Sequence, residues 1–247
     1  MSALLFSLLY WLLFAPIAVV YFALGIALWL ATLPFDRVGA WPHRLCGWWA
    51  RTLIRLNPAW RIAVTGKENL GRGPYVLVAN HQSQADILAM YFVPHHFKWI
   101  SKASVFRIPL VGWYMYFARY ISLVRGKPDS IARCMQEATR WLRRGVSVLF
   151  FPEGTRSLDG AVHPFKRGAF HIAAETGAEV LPITISGTNR VLPKGGWIFS
   201  ERARMRIHID PPVPPPRPSE DQVLADFLQR QIAARKVALD REELTPP

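Results

Sequence analysis

Residues 1–35 carry no charged side chain, and residues 4–33 are almost continuously apolar. An apolar helix of that length exceeds the ~20 residues needed to cross a hydrocarbon layer. It does not have the form of a signal peptide: no Lys or Arg precedes it, the run is too long, and no small-x-small cleavage site follows. Pro34 should end it. A second helix is predicted over 38–56, where Trp41, Leu45, Trp48, Trp49 and Leu56 form an apolar side and Arg44, Arg51 and Arg55 recur at spacings of seven and four. Trp and Arg rimming an apolar face suit a helix lying at headgroup depth. Trp41, Arg44, Trp48, Trp49, Arg51 and Arg55 are therefore candidate membrane contacts. Two topologies fit. The first helix spans, with Arg37 onward cytoplasmic by the positive-inside rule, or both helices enter one leaflet as a hairpin bent near Pro16 and Gly25.

From residue 61 the pattern changes to short apolar runs alternating with helical stretches. Strands are predicted over 61–64, 75–79, 97–101, 120–124, 146–151, 180–185 and 205–209, and helices over 85–92, 110–118, 129–143, 169–175 and 219–239. This alternation predicts an α/β domain with a largely parallel sheet flanked by helices, preceded by the two-helix membrane-binding segment. The expected division is 1–58 for the membrane-associated helices and 59–247 for the α/β domain, with a Pro-rich connector at 211–218 leading to an amphipathic C-terminal packing helix.

The net charge of +13 changes the picture, because residues 37–217 hold 26 basic against 10 acidic side chains. Such a bias points to nucleic acid or to an anionic membrane surface. The apolar N-terminus, ten Trp and a mean hydropathy of +0.13 favour the membrane. No zinc-finger spacing or RNA-binding aromatic signature occurs, so no nucleic-acid partner is expected. Cys46 and Cys134 form no CxxC pair, so they read as two buried thiols of a reducing compartment and no metal site is expected. No GxGxxG or P-loop pattern is present, which argues against NAD and ATP.

Candidate chemistry sits in two blocks. His81 and Asp86 lie five residues apart just after a predicted strand: a general base with an orienting carboxylate. Taken alone, this block also reads as a capped helix start, with Ser83 or Asn80 as the cap. The second block, Phe151 to Ser157, places Gly154, Thr155 and Arg156 after another strand, and these are the parts of a phosphate cradle. Together they point to an enzyme that moves a group onto a hydroxyl of a phosphate-bearing substrate. In a parallel sheet, ligands collect beyond the carboxyl ends of strands. His81, Lys102, Arg125 and the segment 153–156 each follow a predicted strand and should converge at one edge. Glu153, acidic beside a phosphate, would order the loop or bind a hydroxyl. Arg125 and Lys166 are candidate substrate contacts, with a solvated or membrane-facing role equally open. Backbone N–H groups at the helix start after His81 are candidate oxyanion donors, and a covalent Ser83 route is an alternative to direct attack.

Four ordered blocks resemble those of the membrane-bound glycerolipid acyltransferases, in particular bacterial 1-acyl-glycerol-3-phosphate (lysophosphatidate) acyltransferases. They are Asn80 to Ser83 with Asp86; Lys102 to Arg125, with Phe106-Arg107-Ile108-Pro109 and Gly112-Trp113 inside; Phe151 to Ser157 with Pro164 to Phe170; and Leu181-Pro182-Ile183. The resemblance covers about 61–186. One departure is Val124, where many relatives carry an aspartate before the arginine. The resemblance implies transfer of an acyl chain from acyl-CoA or acyl-carrier protein to the sn-2 hydroxyl of lysophosphatidate, with no cofactor, and Lys102 as a second phosphate ligand. It also implies shallow insertion at the cytoplasmic face of a bacterial inner membrane. Residues 106–120 would line an acyl tunnel or pack as ordinary core. Two rival readings stand beside this one: the same chemistry on glycerol-3-phosphate, a lyso-ornithine lipid or another lysophospholipid, or a non-enzymatic protein that holds anionic lipid.

Overall fold

A computed structural model describes residues 2–192, 195–217 and 219–244. All seven predicted strands form: β1 (Trp60–Thr65), β2 (Tyr75–Ala79), β3 (Phe97–Lys102), β4 (Ile121–Leu123), β5 (Ser147–Phe150), β6 (Glu179–Ser186) and β7 (Ala203–Ile209). They make one sheet in the order β1-β7-β6-β2-β5-β3-β4. Every neighbouring pair is parallel except β6 with β7. Strand β2 lies between β5 and β6 and is buried at all five positions, the continuous apolar run of a strand covered on both faces.

The helices are α1 (Ala3–Thr32), α2 (Ala40–Arg55), α3 (Ala85–Met90), α4 (Val111–Phe117), α5 (Pro128–Arg143), α6 (Gly168–Thr176), α7 (Thr188–Val191) and α8 (Asp221–Leu244). Side chains alternate across the pleat and so sort the helices into two layers. Val76 and Val78 pack with Cys134, Phe170 and Leu228 from α5, α6 and α8. Leu77 and Ala79 pack with Ala50, Met90 and Met115 from α2, α3 and α4. The Pro-rich connector does more than span a gap: Val213 exchanges two backbone hydrogen bonds with Val180 at the start of β6, of 2.8 and 2.9 Å. Its predicted last residue, Pro218, lies outside the described residues, as do 245–247.

Helix α1 lies along the body for most of its length. Near one end the Ser7 hydroxyl accepts the Phe199 N–H (2.8 Å) and Tyr10 Oη donates to the Leu53 carbonyl (3.0 Å). Midway, the Tyr21 and Thr52 hydroxyls pair at 2.8 Å. Toward the other end Gly25 sits so close to Tyr114 that a Cβ would fall 2.1 Å from the ring, and Trp29 stacks on Phe117 at 4.7 Å. The opposite side of α1 exposes a run of leucines and valines, including Leu12 and Val20.

The candidate membrane contacts of α2 divide. Trp41, Arg44, Trp48 and Arg55 are exposed, with the Arg44 guanidinium 5.1 Å above the Trp41 ring. Trp49 and Arg51 are half-buried and also pack against the body. Trp49 packs edge-on against Phe14, and Arg51 lies over the Phe92 ring at 5.6 Å. Their helical positions adjoin Ala50 and Leu53, which are fully buried, so the inner face of α2 takes them along.

Candidate active site

The loop after β2 is held by its own polar side chains. Asn80 forms a two-way bond with Ile185 of β6, donating to its carbonyl (2.9 Å) and accepting its N–H (2.8 Å). Asn80 is thus a strand clamp and not a helix cap. His81 Nδ1 lies 2.7 Å from Asp86 Oδ2. As a carboxylate, Asp86 only accepts, so Nδ1 carries a proton, and in the neutral ring Nε2 has the free lone pair. Asp86 is fully buried and takes four donors: His81, the backbone N–H groups of Gln82 (2.7 Å) and Ser83 (2.9 Å), and the Thr188 hydroxyl. A buried anion persists only when its lone pairs are filled in this way.

One expectation narrows here and one alternative fails. The N–H groups of Gln82 and Ser83 serve Asp86, and that of Ala85 bonds to Ser83 Oγ (3.1 Å), so these three amides are unavailable to an oxyanion. The Ser83 hydroxyl is fully buried and donates to the Leu192 carbonyl (2.6 Å), which removes it as a nucleophile.

The second block is stitched to the first. Glu153 Oε1 accepts the His81 N–H (2.7 Å), Oε2 accepts the His163 N–H (3.1 Å), and the Ser157 N–H donates to the His81 carbonyl (2.8 Å). Burial pushes the Glu153 carboxyl above its usual range, opposed by those two amide donors. Both oxygens bond backbone N–H groups, only 6% of the residue is exposed, and it does not line the cleft described below, so Glu153 orders the loop. Gly154 turns the chain at φ +73°, and a Cβ there would lie 2.7 Å from Lys166 Nζ. The Phe151 ring lies against the His81 imidazole.

His81, Lys102, Arg125, Thr155, Arg156 and Lys166 all line one cleft of about 820 Å³. Lys102, Arg125 and Lys166 are exposed, and Arg156 is half-buried. The convergence predicted from strand ends is therefore real. Its cause is that β2, β3, β4 and β5 run parallel and deliver their carboxyl ends to the same edge. The cleft continues into an apolar interior walled by Phe14 and Phe22 of α1, Trp49 of α2, Trp99 of β3 and Met115 of α4. Of the predicted tunnel segment, Leu110, Val111, Tyr114, Met115 and Tyr120 line it. Trp113 and Tyr116 face outward instead. Leu110 reaches the cleft from a positive-φ γ-turn (φ 65°, ψ −59°) closed by the Val111 N–H on the Pro109 carbonyl (2.8 Å).

Residues 61–186 match the family model described as Acyltransferase. The chain belongs to the acyltransferase family. Within that family it is 38% identical over 193 residues to the chloroplastic 1-acyl-sn-glycerol-3-phosphate acyltransferase LPAT1 of Arabidopsis thaliana, covering 77% of this chain and 53% of the relative. It is 34% identical over 173 residues to 1-acyl-sn-glycerol-3-phosphate acyltransferase alpha of Ovis aries, covering 68% and 60%. The chain thus spans about half the length of the plant relatives it matches. A solved structure, the 1-acyl-sn-glycerophosphate (LPA) acyltransferase PlsC from Thermotoga maritima, superposes with a TM-score of 0.82 at 28% identity, covering 100% of both chains.

Three contributors to this site could not be read from the sequence. Asn80 was legible only as a cap, because its partner Ile185 is 105 residues away. Phe151 lay inside the second block, but nothing local connects its ring to His81. Thr188 falls just beyond the 61–186 match, in a four-residue helix with too few residues to show periodicity.

Proposed function

We propose that this protein is a membrane-bound lysophosphatidate acyltransferase that moves an acyl chain from acyl-CoA or acyl-carrier protein to the sn-2 hydroxyl, giving phosphatidate. The observation that carries this reading is the His81 imidazole, protonated at Nδ1 toward Asp86 and lining a cleft that also holds Lys102, Arg125, Arg156 and Lys166. His81 Nε2 takes the proton from the acceptor hydroxyl as its oxygen attacks the thioester carbonyl. The C–O bond forms, the C–S bond breaks, and the proton passes from Nε2 to the departing thiolate. Asp86 holds the tautomer and offsets the imidazolium charge. Arg156 offers the acceptor phosphate a planar fork, Thr155 a hydroxyl, and Gly154 close backbone approach, with Lys102, Arg125 and Lys166 as further cations. No acyl-enzyme is needed, which agrees with the buried Ser83. No resident cofactor or metal enters the scheme.

The apolar interior suits the acyl chain, and its α1 wall supports delivery from the membrane. The contacts that bind α1 to the body over most of its length favour shallow insertion of α1 and α2 over a span. Trp41, Arg44, Trp48 and Arg55 would sit among anionic headgroups. The excess of 26 basic over 10 acidic side chains in residues 37–217 suits an anionic cytoplasmic leaflet, which supports a cytoplasmic-face location on a bacterial inner membrane. Detergent-solubilised protein given lysophosphatidate and a long-chain acyl-CoA should form phosphatidate, and His81→Ala should form none while still binding liposomes. Wild-type turnover in His81→Ala would sink the mechanism. Product only with another lyso-lipid, or only with a carrier-protein donor, would move the assignment to that substrate.

A further inference from the structure

Strand β6 ends at Ser186, and Gly187 then turns at φ +78°. A Cβ on Gly187 would fall 1.9 Å from the Arg204 carbonyl oxygen, so the chain can reverse there against β7 only with glycine. This reversal brings Thr188 to Asp86, 102 residues away in sequence. Thr188 is fully buried. Its hydroxyl proton has a fixed direction. Asp86 Oδ1 cannot donate, so Thr188 donates to it, and the hydroxyl lone pair accepts Gln82 Nε2 (2.9 Å). Gln82 is anchored in turn, with Nε2 also 3.3 Å from the Ile185 carbonyl. The three donors on Oδ2 all come from the loop itself, namely His81, Gln82 and Ser83. On Oδ1, Thr188 is the donor, and it comes from the turn after the neighbouring strand β6.

We propose that Thr188 is a positioning residue for the acyl-transfer reaction, a role that rests on the acyltransferase reading above. It never meets substrate. It fixes the rotation of the Asp86 carboxylate, so that Oδ2 and not Oδ1 faces His81 Nδ1. Without the hydroxyl, Oδ1 is a buried anionic oxygen lacking its donor, and Gln82 Nε2 loses an acceptor. The carboxylate then swings to recruit other donors, and the His81 tautomer is no longer enforced.

The test uses the full chain in detergent with lysophosphatidate and long-chain acyl-CoA, comparing wild type, Thr188→Val, Thr188→Ala and Thr188→Ser. Thr188→Val should lower kcat by about 10- to 100-fold, the scale of one hydrogen bond to a charged group, with both KM values unchanged. Thr188→Ser keeps the hydroxyl and should restore kcat to within a few-fold. Thr188→Ala adds no volume and carries the same expectation if the valine variant does not fold. A second readout needs no substrate: 1H–15N spectra of the His81 ring should show the Nδ1–H tautomer in wild type and Thr188→Ser and its loss in Thr188→Val or Ala. A kcat within twofold of wild type in Val or Ala, or a serine variant as impaired as valine, overturns the proposal. So does an unchanged ring spectrum in Val and Ala. If wild type itself makes no phosphatidate, the assignment of lysophosphatidate and acyl-CoA as its substrates fails, and the ring spectra still decide what Thr188 does.

Discussion

The His81 imidazole lies flat on the Phe151 ring, with centroids 4.0 Å apart and planes 11° from parallel. Phe151 in turn leans on Trp99 at 5.9 Å. The first block is thereby clamped to the second through a ring face as well as through Glu153. Asp86 fixes one edge of the imidazole and Phe151 fixes its plane. An aromatic pair contributes about 0.5–1.5 kcal/mol beyond its buried area. Phe151→Leu should therefore lower kcat by about 3- to 10-fold and leave the acceptor KM in place. Steady-state kinetics decide it, and an unchanged kcat would mean that the stack does not hold the ring.

Arg156 is the planar donor among the cleft cations closest in sequence to the Gly154 turn. Arg156→Ala should raise the KM of a phosphate-bearing acceptor by about 10- to 100-fold. Lysine at this position should recover only part of the loss, because it presents a point charge where the arginine presents a fork. A phosphate-free acceptor such as a monoacylglycerol should be indifferent to the change. Equal effects on both acceptors would separate Arg156 from the phosphate.

Glu153 links stability to pH. Burial raises its folded-state value above the ordinary 4.5. The folded protein therefore keeps this proton at pH values where the unfolded chain has released it. The stabilising contribution is fully present below 4.5 and is lost as pH rises through the raised value. Relative to Glu153→Gln, the wild type should lose stability over that interval, as read by denaturant midpoints in detergent. A constant difference across the interval would refute the linkage.

Lys98 behaves in the opposite sense. It is fully buried, donates to the carbonyls of Val38 and Ala118 (2.7 Å to the latter), and lies 4.7 Å from the Trp141 ring centre. Burial lowers it from 10.5 to about 7. Between these values the unfolded chain holds more protons, so rising pH favours the folded state. Lys98→Met should be less stable overall, since it leaves the buried Ala118 carbonyl and the partly buried Val38 carbonyl without their donor. It should also lack the rise in stability above about pH 7 that the wild type shows. Melting curves of both proteins across that interval provide the check, and parallel pH profiles would exclude Lys98 as the source.

Much of this molecule was readable along the chain, and the reason is periodicity. The β2 run from Tyr75 to Ala79 and the recurring apolar positions of α5 report their environments locally, so every strand and the long helices were placed. The site edge was legible for a related cause. Parallel strands send their carboxyl ends the same way, so a His81, a Lys102 and an Arg156 that each follow a strand must meet. The reading stayed incomplete where a side chain's partner is remote. Trp49 and Arg51 have the composition of a headgroup-facing pair, and their contacts with Phe14 and Phe92 appear only in the packed structure. For Glu153 the sequence left loop ordering and hydroxyl binding both open, and its amide partners, His81 and His163, with its absence from the cleft lining, favour the first.

The order of residues by itself determined the α/β class, the apolar N-terminal helix, the basic surface and the pairing of a histidine with an aspartate one turn away. All of these depend on interactions within a few residues or on sums over composition. Tertiary structure alone decided which way Asp86 turns, which hydroxyl is spent, how α1 lies on the body and where the cleft runs. Each of those depends on groups such as Thr188, Leu192, Phe151 and Phe199. Their distance along the chain carries no local signal, and only the closed sheet brings them into contact.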